Sequence, residues 1–155
     1  MTGLQVFTLA HVAISVFGII AGLIVLSGFV RGIVAPLWTR SFLAFTILTS
    51  VTGFFFPFRG ITPGIVIGVL SLIDLALAVS AYRLSLTRTF IVSATVAEFL
   101  NVLVLIVQLF GKVPVLHQYA PKGNEPIVAV VQLLALLVFA ALAVKAIRSA
   151  KYFLL

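Results

Sequence analysis

Two carboxylic acids stand in the middle of long apolar runs, Asp74 within residues 64–82 and Glu98 within residues 89–110. The chain has only three acidic residues, and the third, Glu125, falls in a polar loop. An ionised side chain at a bilayer centre costs roughly 2.5–3.5 kcal/mol on insertion scales, and an ionisable group there is by default a functional-site candidate. If the two runs are adjacent antiparallel helices, both acids lie at similar depth, roughly 15–20 Å from their outer ends at 1.5 Å per residue. Two carboxylates in one dry site do not both ionise cheaply, so one would hold a proton. That chemistry serves a proton relay. It equally serves a static tie, in which an acid bonded to a carboxylate pins two helices together. No lysine lies mid-run to pair with either acid, which also argues against a retinal-type Schiff base.

Other polar residues fall on faces that could join this centre. Asn101 and Gln108 share a broad stripe with Glu98, and Ser71 shares one with Asp74. Gln132, in the last apolar run, is a further candidate member. Thr46, Thr49, Ser50 and Gly53 recur at i, i+3, i+4 and i+7, although hydroxyls in such helices commonly bond back to their own carbonyls. In the first run His11, Ser15, Gly18 and Gly22 share a face, and Gly18 to Gly22 is a GxxxG motif. The plain reading is a packing seam of small residues. The functional one makes His11 a proton carrier near the outer surface. Axial haem ligation by His11 and His117 would require the loop around His117 to fold back onto the helices. With no cysteine, thiolate metal sites and disulfides are excluded. No HExxH, phosphate-binding loop or serine–histidine–acid arrangement is present, so an enzyme has little to rest on. Neither a metal nor any other cofactor is expected.

The elements that must position these residues are transmembrane helices. The chain has 155 residues, 63% hydrophobic and 8% charged. Soluble domains carry about 45–50% and about 25%. The net charge of +7 comes from cations scattered singly or in pairs between apolar runs, which is a topology pattern and not a nucleic-acid surface. The runs predict an all-α integral membrane bundle, one transmembrane domain over residues 1–155, with five spans at about 4–30, 41–56, 64–82, 89–110 and 126–147. Pro36, Trp38 and Arg40 read as an interfacial linker, and Phe58 to Pro63 as a tight turn. The second span is the shortest, and a four-span arrangement would make it re-entrant. Ser85 or Thr87 is a candidate cap for the fourth span and Asn124 for the fifth. Residues 115–125 read as a solvated connection. The three-residue lead has no positive n-region, so no removable signal peptide is expected.

Five spans put the termini on opposite sides. Arg31, Arg40, Arg83, Arg88, Lys145, Arg148 and Lys151 gather at one face, against Arg59, Lys112 and Lys122 at the other. The positive-inside rule then puts the N-terminus out and the C-terminus in.

The run from Thr46 to Pro57 (TILTSVTGFFFP) and the run from Asn101 to Leu116, containing VQLFGKVP, resemble segments of small uncharacterised bacterial polytopic inner-membrane proteins. The resemblance extends to size and span pattern. It implies a multi-pass protein of the bacterial inner (cytoplasmic) membrane and carries no activity. The first functional expectation is a structural or accessory subunit, or a self-associating bundle, with the acids as helix ties. Its partners would be the lipid bilayer and a homo-oligomer or larger membrane complex. The alternatives are a proton- or cation-coupled transporter or channel using Asp74 and Glu98, and a haem- or quinone-linked redox component.

Overall fold

The computed structural model describes residues 2–57, 60 and 62–150, and among them the only regular structure is helical. The helices are α1 Gly3–Val30, α2 Pro36–Gly53, α3 Pro63–Arg83, α4 Thr87–Lys112, the single turn α5 Pro114–His117, and α6 Pro126–Ser149. Four of them, α1, α3, α4 and α6, are long and apolar enough to cross a membrane. The expectations for Phe58, Arg59, Ile61 and Lys151 lie outside the described residues.

Local chemistry sets the helix ends. Thr2 and Gln5 form a reciprocal capping box that starts α1. Pro36, Pro63 and Pro126 each open a helix in its first turn, where a missing N–H costs nothing. This corrects the expected second span. Pro36, Trp38 and Arg40 belong to α2 and not to a linker, and the helix ends at Gly53, leaving Phe54 to Phe56 outside it. Two other expectations also change. Ser85 caps nothing; it takes φ 54 just past the end of α3, and Leu86 stands at the N-cap of α4 without a side-chain bond. Glu125, not Asn124, is the N-cap of α6.

The helices run alternately up and down. α1 and α2 form a hairpin whose turn is closed by Gly32 at φ 73, with the Ile33 N–H donating to the Gly28 carbonyl at 2.9 Å. Their contacts keep one antiparallel register: Gly22 lies beside Phe42, Gly18 beside Phe45 and Thr46, His11 beside Thr52, and Phe7 beside Phe56. The register holds from Gly28 to Phe7, about 31 Å of helix at 1.5 Å per residue. α2 itself has 18 residues, about 27 Å. α3 and α4 form the second hairpin. α6 packs along α4 through Phe99 and Phe139 and reaches α1 where the Ser149 hydroxyl donates to the Val30 carbonyl at 3.0 Å.

This topology gathers Arg31, Arg40, Arg83, Arg88, Lys145 and Arg148 toward one end, called here the basic end. The main apolar core lies in that half, with Val25, Leu26 and Phe29 of α1, Phe42 of α2, Leu75, Ala78 and Ala81 of α3, and Phe90, Ile91 and Ala94 of α4. Phe90 meets both Phe29 and Tyr82, tying three helices together. A smaller cluster of Ile106, Phe110, Ala120 and Val128 closes the opposite end. Ala120 is fully buried, so the segment expected to be a solvated connection is partly built into the bundle.

In that segment the Lys122 N–H donates to Glu125 Oε1 at 2.9 Å. This bond holds the Glu125 carboxyl below its usual value of 4.5. Because the folded-state value is depressed, the turn's contribution is complete above the ordinary glutamate range and fades as pH falls through the folded value. A carboxyl-carbon NMR titration is expected to give Glu125 a midpoint below 4.5. In Gly123→Pro, which distorts the left-handed turn at φ 77, that midpoint should return toward the ordinary range.

Candidate functional site

The centre forms around Glu98. Its side chain points from α4 into the crevice between α1 and α2 and is completely buried. Sequence explains how it fits. Gly22 leaves a gap on α1, and a β-carbon built there would collide with the Glu98 carboxyl and stand 2.9 Å from the Phe42 ring. A β-carbon built at Gly18, the other glycine of the motif, would only come into ordinary contact with the α2 backbone, 3.6 Å from Thr46 N. The GxxxG face is thus used inside one chain. One glycine admits a neighbouring helix and the other admits a carboxyl group.

Among the described residues neither Glu98 oxygen has a partner at hydrogen-bond geometry, although the Asn101 side chain is close, and Asp74 Oδ2 lacks one as well. No hydrogen bond therefore joins the two carboxyls through those atoms. Asp74 is half-buried on α3 and is approached by the Ser93 hydroxyl of α4. Glu98 lies five residues beyond Ser93 on α4, about 7.5 Å further along the axis and 140° around it at 3.6 residues per turn. The acids share a helix pair but not a site. The residue that faces Asp74 is Ser93, and an i, i+5 offset from Glu98 could have warned that the two positions look in different directions.

The remaining candidates divide by position. Asn101, one turn beyond Glu98, donates from Nδ2 to Thr46 Oγ1 at 3.3 Å, linking α4 to α2. Further along α2, Ser50 is buried, and Thr49 Oγ1 is enclosed without a hydrogen-bond partner among the described residues. Next comes His11. Its Nδ1 lies 2.8 Å from Thr52 Oγ1, and the Thr52 hydroxyl donates to the Leu48 carbonyl at 2.7 Å. The hydroxyl proton is thereby used, so Nδ1–H is the donor to Thr52, and Nε2 carries the lone pair of the neutral ring. Phe56 covers the imidazole edge-on at 5.1 Å, and Gly53 lies just below the ring. Thr52 was not among the expected site residues. It sits one helical turn from Thr49 and Leu48, on the side of α2 that the register turns toward His11.

Ser15 donates to the His11 carbonyl of its own helix and adds no link between helices. Gln132 is half-buried on α6, level with the cluster around Ile106, and makes no side-chain hydrogen bond among the described residues. Gln108 is exposed. His117 is held by the Phe110 carbonyl at 3.3 Å, so the two histidines have separate local partners. No group of three or more His, Asp or Glu side chains able to hold a metal occurs among the described residues.

Enclosed as it is, Glu98 has two states open to it. It can be the neutral acid, or a carboxylate neutralised by a small cation, because a bare charge enclosed in the bundle is far too costly. No protein-family model, curated protein or solved structure matches this chain.

The close fit yields a test. Gly22→Ala should lower thermal stability by about 1–3 kcal/mol through overpacking, despite a helix-propensity gain of about 1 kcal/mol. In a Glu98→Ala background the same change should cost much less, since the colliding group is gone. Equal costs in both backgrounds would break the link between Gly22 and Glu98.

Proposed function

We propose that this chain is a proton- or small-cation-handling membrane protein in which Glu98 takes up and releases the ion inside the bundle. One observation carries the reading. Glu98 is completely buried, and among the described residues neither of its oxygens makes a hydrogen bond to the helices across the crevice, the Asn101 side chain of its own helix being close by. A carboxyl kept as a helix tie would be bonded to the helix it ties. An unmade bond of this kind costs about 1–3 kcal/mol, which is the expected condition of a site that binds its ligand reversibly. Asn101 and Thr46 line one side of the site. Asp74, half-buried beside Ser93, is an auxiliary group at the α3–α4 interface.

The topology that fits this reading has five crossings, with α2 included. Its support is the unbroken register along α1 of α2 and of the residues after it as far as Phe56. Six described cations at the basic end outnumber Lys112 and Lys122 at the other, so the positive-inside rule favours a cytoplasmic basic end. The N-terminus is then outside and the C-terminus inside. Residence in a bacterial inner membrane rests on the resemblance carried by residues 46–57 and 101–116.

A hydrophobic carbodiimide tests the site, since it forms stable adducts with protonated carboxyls in apolar surroundings. In detergent at neutral pH, Glu98 should be the adduct position by peptide mass spectrometry, with labelling falling as pH rises. Glu98→Gln should lose the adduct while keeping its elution volume and helicity. An unlabelled Glu98 across the whole pH range sinks the proposal.

A second reading, an accessory subunit or self-associating bundle, is favoured by α6. Only Val128, Phe139 and Ala146 of that helix are buried, and Leu133, Leu134 and Leu137 are exposed around it. An intact-complex mass spectrum from mild detergent separates the cases. Added polypeptide mass would identify a partner, integer multiples of 16.6 kDa would identify a homo-oligomer, and a bare monomer would remove this reading.

A further inference from the structure

We infer that Glu98 communicates with only one face of the membrane, the face opposite the basic end, and that the α1–α2–α4 seam through Asn101, Thr46, Thr49, Ser50, Thr52 and His11 is its access route. This deepens the proposed function and rests on Glu98 being a reversible ion site.

The two directions away from Glu98 differ in chemistry. Toward the basic end, its own face of α4 continues as Ala94 and Ile91, then Phe90, all fully or nearly fully buried. The surrounding helices add Val25, Leu26 and Phe29, Phe42, and Leu75, Ala78 and Ala81. The polar side chains in that half do not bridge it. Thr39 is sealed without a partner, Ser93 looks toward Asp74, and Thr95 donates to the Ile91 carbonyl of its own helix. The Phe29–Phe90–Tyr82 contacts then close the end.

In the other direction the same face of α4 continues as Asn101, which is bonded to Thr46. Thr49 and Ser50 follow one turn along α2, and Thr52 follows with His11. Side chains three or four residues apart on a helix stand about 5–6 Å from one another, a gap one water molecule spans. Beyond Gly18, α1 has no fully buried residue, so its outer half is less tightly enclosed by the bundle. The route ends at His11, which is only half-buried and lies under Phe56, itself packed against Phe7.

The charged and titratable groups on the helices around α4 are few. They are His11 on α1, Arg40 on α2, Asp74, Tyr82 and Arg83 on α3, His117 on α5, and Lys145 and Arg148 on α6. α4 itself adds Arg88 and Lys112. None is a hydrogen-bond partner of Glu98. Lys112 is near enough for its charge to be felt at His11, at the mouth of the route.

The test is sided labelling. The protein is reconstituted in sealed vesicles of one known orientation, with the pH on each face set independently. The membrane-permeant carbodiimide then reports the protonation of Glu98. Labelling should follow the pH on the His11 face and ignore the pH on the basic face. Thr46→Val and Thr49→Val, which keep shape and remove the hydroxyl, should slow the response to the His11-face pH by an order of magnitude or more. Thr46→Ser should restore it. Labelling that follows the basic face, or both faces equally, overturns the inference while leaving Glu98 an ion site. Valine variants that respond at the wild-type rate also overturn it. No labelling even in detergent removes the proposed function and this inference with it.

Discussion

The contact between Gly22 and the Glu98 carboxyl sets the distance between α1 and α4, and much of the bundle follows from that distance. Lipid offers no hydrogen bonds and little hydrophobic drive between helices, so close packing must hold them. A glycine on one helix admits a carboxyl from the next, and Phe42 of α2 closes the crevice from the side. The arrangement sequesters a polar group without satisfying it. Few positions tolerate this, and here it occurs where three helices converge.

The bundle is correspondingly divided. Its basic half has a dense core of aromatic and small residues drawn from α1, α2, α3, α4 and α6. Its other half is looser: the outer part of α1 leans on α2 through histidine, threonine and phenylalanine. Glu98 stands at the border between them. A group placed there meets hydrocarbon on one side and hydrogen-bonding side chains on the other, which gives a single carboxyl a direction.

Much of this was legible in the sequence, for reasons that particular residues make clear. The bounds of α1, α3, α4 and α6 follow from uninterrupted apolar runs, and those helices lie close to their expected limits. α2 departs from its expected limits at both ends. In sequence Pro36 reads as a break, whereas proline suits the first turn of a helix, and the three phenylalanines before Pro57 read as helical by hydropathy alone. The two acids stood out because acids are so rare in this chain. Their separation was not legible, because depth along a helix does not fix direction around it. Nor was the use of Gly22 visible. GxxxG announces that something packs closely, but only the fold reveals that the neighbour is a carboxylate side chain.

The two turns at the basic end have a further consequence for assembly. Each turn is short, closes on internal backbone bonds, and uses one residue in the left-handed region, Gly32 in the first and Ser85 in the second. α1–α2 and α3–α4 are therefore self-contained hairpins of consecutive helices, whose contacts span less sequence than that of α6 with α1. α6 has no such turn to guide it. It arrives after a longer connection, and its tie to the first hairpin joins residues 119 positions apart. The chain thus divides into two self-contained hairpins and a single helix that locks them together.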